Sequence, residues 1–452
     1  MSYSVIALRK SCGLGRAIAL VSFALCAASC APRAGREPVS KSIAPLELLL
    51  RIPGDAPKGE LGFRFGPPRD VDGDGIAEIA AGARFTKLEL PGMGTATIWS
   101  TDSGRELAQW EGHIPDALFG HCVLLHPDID GDGLADIVAS APSGKYYDVP
   151  RGAVFARSPR TKRLIWACLG EPLEGVGWQL DLAGDQDRDG VDDILASAPG
   201  GLSGNVQLLS GRTGSVIHTY ASKLENDQFG WYVAATTDMD GDGLKDLLVG
   251  APSTPNGTAE FAGAVRILSS ATGNEIRIWR GDVQHGQFGD ILAAVGDLDG
   301  DGKSEVAIGA PFRPTSKDEK PLPGEVFVFS GATGDRLRHW TGTQAGELYG
   351  RMVASAGDAD GDGIPDIAIG APWHASAAGE KAGRFELRSG RTGEVIAAVE
   401  GDRANAWLGW HIAAGENLGK ARRRGLIVSA LWSEENGKAS AGALLIYGYR
   451  GR

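Results

Sequence analysis

The sequence predicts an all-β fold, a seven-bladed β-propeller with four antiparallel strands per blade and an N-terminal strand closing the last blade. Three observations predict it. A segment of about 60 residues recurs seven times in fixed register. Each copy reads as four short strands. The last copy lacks a fourth strand, while the N-terminus has one to spare.

The register is set by six nine-residue segments. They begin at Asp70 (DVDGDGIAE), Asp128 (DIDGDGLAD), Asp185 (DQDRDGVDD), Asp238 (DMDGDGLKD), Asp297 (DLDGDGKSE) and Asp358 (DADGDGIPD), spaced by 58, 57, 53, 59 and 61 residues. Nine residues before each stands an apolar–Gly pair, such as Phe229-Gly230. Twelve residues after its first Asp stands a small triplet, such as Gly250-Ala251-Pro252. A seventh copy keeps this frame without the acids, around Asn417, between Leu408-Gly409 and Ser429-Ala430-Leu431. Self-similarity at such a period marks a propeller or a solenoid.

The fourth unit shows the strands. Trp231 to Thr237 is apolar, Asp246 to Val249 follows the acidic loop, and Ala264–Leu268 and Glu275–Trp279 alternate about a Ser-Ala-Thr-Gly turn. Four strands repeated seven times fit a propeller. The seventh unit ends at Ala443 to Tyr449, its third strand, and residues 46–52 stand at the offset of a fourth strand. They are expected to complete that blade as its outer strand. The aromatics Trp110, Trp166, Tyr220, Trp279 and Trp340 on fourth strands read as packing.

Composition agrees. Of 452 residues 66 are Gly, about twice the usual share, without a collagen period. The formal charge of −12 argues against a nucleic-acid partner, which needs a basic face. Residues 1–29 read as an export signal, with Arg9, Lys10 and Arg16 before an apolar stretch from Ala17 to Leu25. The small residues leading to Cys30 resemble a lipoprotein signal, which implies lipidation of Cys30; cleavage after Ser29 and free secretion is the alternative. Residues 30–44 read as a flexible linker and 45–449 as the propeller. Cys122 and Cys168 are expected as two buried thiols.

The acidic loops carry the chemistry. Positions 1, 3, 5 and 9 are carboxylates in all six, which takes 24 of the chain's 57 acids. The expected ligands are Asp70, Asp72, Asp74 and Glu78; Asp128, Asp130, Asp132 and Asp136; Asp185, Asp187, Asp189 and Asp193; Asp238, Asp240, Asp242 and Asp246; Asp297, Asp299, Asp301 and Glu305; and Asp358, Asp360, Asp362 and Asp366. The position-7 carbonyls of Ile76, Leu134, Val191, Leu244, Lys303 and Ile364 close each shell. An all-oxygen set suits Ca²⁺, up to six ions in all. Turns favour Asp and Gly for other reasons, but they do not demand carboxylates at four fixed positions six times. The position-12 acid of an EF-hand is absent, since Ala81, Ala139, Ala196, Val249, Ile308 and Ile369 stand there.

With the apolar–Gly pair, the DxDGDGxxD loop and the Gly-Ala-Pro-like triplet in one register, the units resemble the FG-GAP repeats of the integrin α-subunit N-terminal propeller, over about residues 46–449. That resemblance implies seven blades, Ca²⁺ on one face and ligand contacts on the opposite face. It is to the module rather than to a whole receptor. On the opposite face, Phe85, Tyr146, Tyr147, Phe312, Arg313, Trp373, His374 and Trp432 are candidate ligand contacts, with packing between loops as the alternative. No GxSxG elbow or HExxH helix is present, and the Gly-Lys-Ser at Gly302 lacks the first Gly of a phosphate loop. The expected function is a monomeric, non-enzymatic, calcium-binding interaction or adhesion module of the cell envelope. Its expected partner is a protein or glycan, with membrane contact only through a lipid anchor. A lectin-like propeller and a propeller enzyme are the alternatives.

Overall fold

The structure, a computed structural model, describes residues 46–85, 93–146, 149–201, 203–311 and 321–449. Residues 1–44, Tyr147, Phe312 and Arg313 lie outside them, as does the side chain of Tyr146. The expectations for Cys30, the leader and the linker therefore concern residues beyond this description.

Seven antiparallel blade sheets follow one another in chain order, and a two-stranded hairpin, Lys145–Tyr146 with Val149–Pro150, lies in a loop of the second unit. Blade 3 is representative, with strands Leu180–Gly184, Asp193–Ala198, Asn205–Leu209 and Val216–Ala221 paired in that order. Its second and third strands are buried along their whole length, while the fourth alternates with solvent. First strands of neighbouring blades pack together around the axis. Blade 1 departs from the four-strand expectation. It has three strands, Glu78–Ala83, Thr95–Ser100 and Glu106–Glu111, and only isolated bridges at Phe65 and Arg69 in place of the first. Pro67 and Pro68 explain this, because neither has an N–H to donate to a ladder.

The ring closes as the sequence predicts. Leu46–Pro53 pairs antiparallel with Ala443–Tyr449, from Leu46 opposite Tyr449 to Pro53 opposite Ala443. Arg51 lies 2.6 Å from Glu435, and Arg423 lies 2.6 Å from Glu47.

The recurring motifs join blades. The Gly230 N–H donates to the Gly250 carbonyl within unit four (3.0 Å). A Cβ on Gly250 would lie 2.3 Å from the Gly289 carbonyl oxygen of the next unit. The apolar partners Phe229 and Phe288 are buried. Fourth-strand aromatics reach forward as well. Trp166 Nε1 donates to the Gly211 carbonyl (2.7 Å), Tyr220 Oη to that of Ser270 (2.6 Å), and Trp279 Nε1 to that of Gly334 (3.1 Å), each in the following blade. Gly250→Ala is expected to destabilise by roughly 1–3 kcal/mol through overpacking at a backbone contact. Urea unfolding measures this, and a cost under about 0.5 kcal/mol contradicts the account.

Cys122 and Cys168 are free and buried, as expected. Among the described residues no helix is long and apolar enough to cross a membrane.

Candidate functional site

In units two to six each acidic loop joins the first strand to the second, and in unit one it leads from the bridge at Arg69 into Glu78–Ala83; each is organised by its own carboxylates. In loop one, Asp70 Oδ1 accepts from the Gly73 N–H (2.7 Å) and Oδ2 from that of Gly75 (2.8 Å). Asp74 Oδ1 accepts from the Ile76 N–H (2.7 Å), and Glu78 Oε2 from that of Val71 (3.0 Å). Loop four repeats the pattern at Asp238 and Asp246. Positions 4 and 6 both take positive φ, for example +89° at Gly241 and +88° at Gly243. Nothing lies within 4 Å of a Cβ built on either, so the requirement there is conformational rather than spatial. In loop three Arg188 holds position 4 at φ +63°.

The geometry gathers positions 1, 3 and 9. In five loops one carboxylate oxygen from each lies within 4.8 Å of the other two: Asp70, Asp72 and Glu78; Asp128, Asp130 and Asp136; Asp185, Asp187 and Asp193; Asp238, Asp240 and Asp246; Asp297, Asp299 and Glu305. The sixth loop repeats the supporting bonds at Asp358 and Asp366. The position-5 acids stand outside the five groups. Three of Asp's position-5 copies face a basic side chain from the turn after the third strand: Asp132 with Arg160 at 3.5 Å, Asp189 with Arg212 at 2.9 Å and Asp362 with Arg391 at 2.7 Å.

Each group is an oxygen-only donor set that fits a divalent cation. Asp358 Oδ1 and Glu305 Oε1 are shielded from solvent and accept no hydrogen bond. Shielded carboxylate oxygens without donors are costly, and a bound cation would supply what is missing. Burial pushes the Glu78 carboxyl up to about 8 and that of Glu305 to about 7; backbone donors offset part of this, and the neighbouring acids add to it. Burial also takes Asp136, Asp193 and Asp366 to about 6.

These shifts have a sign. A carboxyl raised above its unfolded value stabilises the metal-free fold fully below the ordinary carboxylate range. That contribution is lost as pH rises through about 6 to 8. A cation needs the ionised form. The melting-temperature gain from added calcium is therefore expected to be small at pH 5 and to grow up to pH 8. Scanning fluorimetry checks this, and a gain independent of pH argues against it.

Blade seven carries no acidic loop. Its hairpin instead presents Lys420 and Arg422. Lys420 lies 3.5 Å from Asp102, and Arg422 Nη2 donates to the Asp74 carbonyl of loop one (2.7 Å).

At the opposite face, the residue after each apolar–Gly pair stands at or just before the start of the innermost segment of its blade. Five of these are aromatic or imidazole and touch in sequence. Trp410–Phe63, Phe63–His121, His121–Trp178 and Trp178–Trp231 have ring centroids 5.7, 4.7, 4.6 and 5.0 Å apart. Arg351 sits over Trp410 at 4.2 Å. Arg64, buried, lies near the rings of Trp178 (5.6 Å) and Tyr232 (5.5 Å), two and three blades from its own, and donates to the Trp178 carbonyl (2.8 Å). Side chains thus fill the axis at this face. Sequence reasoning missed this ring, though its signal was a fixed offset from the Gly of each unit.

The predicted ligand contacts separate. Trp432 is 40% exposed and Trp373 half-buried. His374 is buried, its Nδ1 2.5 Å from Glu347 Oε2, and serves the loop packing. Phe85 is half-buried beside the Arg84 guanidinium at 5.0 Å. Trp407, not predicted, stacks on Trp432 and meets Trp373 at a tilt of 58°.

Comparison with known proteins follows the same lines. The FG-GAP repeat family matches residues 124–156, 229–268, 288–329 and 352–384. Integrin alpha-V of Gallus gallus is 31% identical over 318 residues, 67% of this chain and 27% of that protein. Integrin alpha-5 of Xenopus laevis is 31% identical over 205 residues, 42% of this chain and 19% of that protein. The matches thus span about a quarter or less of these relatives. Among solved structures, the crystal structure of BBS1N in complex with ARL6DN, soaked with mercury, is similar in fold, with a TM-score of 0.53 at 9% identity, covering 90% of this chain and 97% of that one.

Proposed function

From the premise that the chain is an integrin-α-like FG-GAP β-propeller, we propose that it is an exported, calcium-stabilised adhesion or interaction module of the cell envelope. Six Ca²⁺ ions hold the loops of one face, and the opposite face binds a partner. The observation that carries this is the recurrence of a three-carboxylate, oxygen-only group at one hairpin of successive blades. Two unit charges about 4 Å apart repel by about 4 kcal/mol at an effective dielectric of 20, so each group calls for a counter-ion. Ca²⁺ is the hard cation that accepts flexible, carboxylate-rich loops. The relatives bearing the name integrin support a protein-binding role for the other face, and the side chains filling the axis there speak against a channel enzyme. The chain acts as a monomer on this reading.

The test is capture of envelope proteins and glycans on the immobilised full-length chain, with calcium and with chelator. Specific, calcium-dependent capture supports the reading. Turnover of a substrate, or metal analysis showing no calcium in folded protein, overturns it.

A further inference from the structure

Four of the chain's eleven Trp residues meet where blades 6 and 7 adjoin on the ligand face. Trp407 and Trp432 stack with centroids 4.4 Å apart and an interplanar angle of 6°. Trp373 and Trp410 flank Trp407 at 5.6 and 5.5 Å. The outer member, Trp432, is 40% exposed. Trp407 is held in place at a cost, since its backbone takes φ +58°, a conformation that L residues rarely adopt. Its N–H is bound to the Lys381 carbonyl (3.1 Å), and the Trp432 N–H to that of Ala406 (3.1 Å). The Trp373 Nε1–H is shielded and donates to no protein group.

Resting on the reading of this face as the ligand face, we infer that the Trp407–Trp432 stack is a carbohydrate subsite that takes the apolar face of a neutral pyranose. The C–H bonds on one face of a pyranose carry slight positive charge and meet the negative face of an indole. The charge pattern favours a neutral ligand. The flanking indoles already hold the chain's own cations, Lys381 over Trp373 at 4.3 Å and Arg351 over Trp410 at 4.2 Å. Of the acids on the adjoining segments, Asp402 pairs with Arg51 at 3.4 Å and Glu435 with Arg403 at 3.2 Å, while Glu434 and Glu380 stay exposed at the rim. That leaves a flat, uncharged pair of indoles whose rim offers carboxylate and guanidinium groups to hydroxyls.

The test uses the calcium-loaded full-length chain on an array of neutral oligosaccharides, followed by calorimetry with the best free sugar. Trp432→Ala, an exposed change, is expected to leave the melting temperature within about 2 °C and to weaken binding at least tenfold, while Trp432→Phe recovers part of the loss. Binding of no sugar overturns the inference, as does equal binding by Trp432→Ala. Capture of a protein ligand without any sugar binding overturns it too, yet leaves the adhesion reading standing; loss of calcium dependence strikes that reading instead.

Discussion

Chelating calcium from the folded protein is expected to lower its melting temperature by more than 10 °C. An ion that binds only the folded chain stabilises it by about 2.7 kcal/mol at a hundredfold excess over Kd. Six such sites contribute roughly 16 kcal/mol. Unfolding entropy near 2.1 cal/mol/K per residue over roughly 400 residues converts that to a shift approaching 20 °C. Partial occupancy, or binding to the unfolded chain, reduces it. The structural reason for a large value is that the position-9 carboxylates of Asp193, Asp246 and Asp366 do two jobs. Asp246 Oδ1 accepts the Ser270 N–H (3.1 Å) and Oδ2 the Met239 N–H (2.6 Å), which ties the loop to the turn between the third and fourth strands. Loosening the acid therefore loosens more than the loop. Scanning calorimetry with and without chelator is the measurement, and a shift near zero defeats the metal account.

Deleting residues 45–54 is expected to cost the propeller its cooperative transition or at least 10 °C. Without the segment, Ala443–Tyr449 is left as an unpaired edge, a template for association. Ile52, 2% exposed, leaves a void among Leu61, Leu444 and Ile446. Glu435, with a side chain 5% exposed, loses the Arg51 partner at 2.6 Å and is left with Arg403 at 3.2 Å and the Ser433 hydroxyl, a weaker compensation of its buried charge. A synthetic peptide of residues 45–54 is expected to restore part of the stability when added back. An unchanged thermogram for the deleted chain would falsify closure by this strand.

The fold was legible because its signals are local and repeated. Each loop announces itself within nine residues, and the closing strand follows from matching a deficit at one end to a surplus at the other. The axial ring was not legible, since Phe63, His121 and Trp178 meet only after segments about 60 residues apart curl around an axis. The same is true of Arg160 and Arg212 at the position-5 acids, where two loops of one unit must first be brought together. Blade 1 misled for a simpler reason, because Pro67 and Pro68 fit the spacing of a strand but not its hydrogen bonding. The left-handed residues before the apolar–Gly pairs, such as Asp116 and Leu118 or Asn226 and Gln228, carry no sequence mark; tertiary packing imposes them.

The seventh hairpin places the ring's join where no ion is required. If ions held by the acidic hairpins leave, mutual repulsion should grow there, while Arg422 keeps its grip on the neighbouring blade without any exchangeable partner. A hoop whose clasp is fastened by fixed charge slackens at its other links first, so low calcium should relax the outline of the molecule before it frees the ends of the chain.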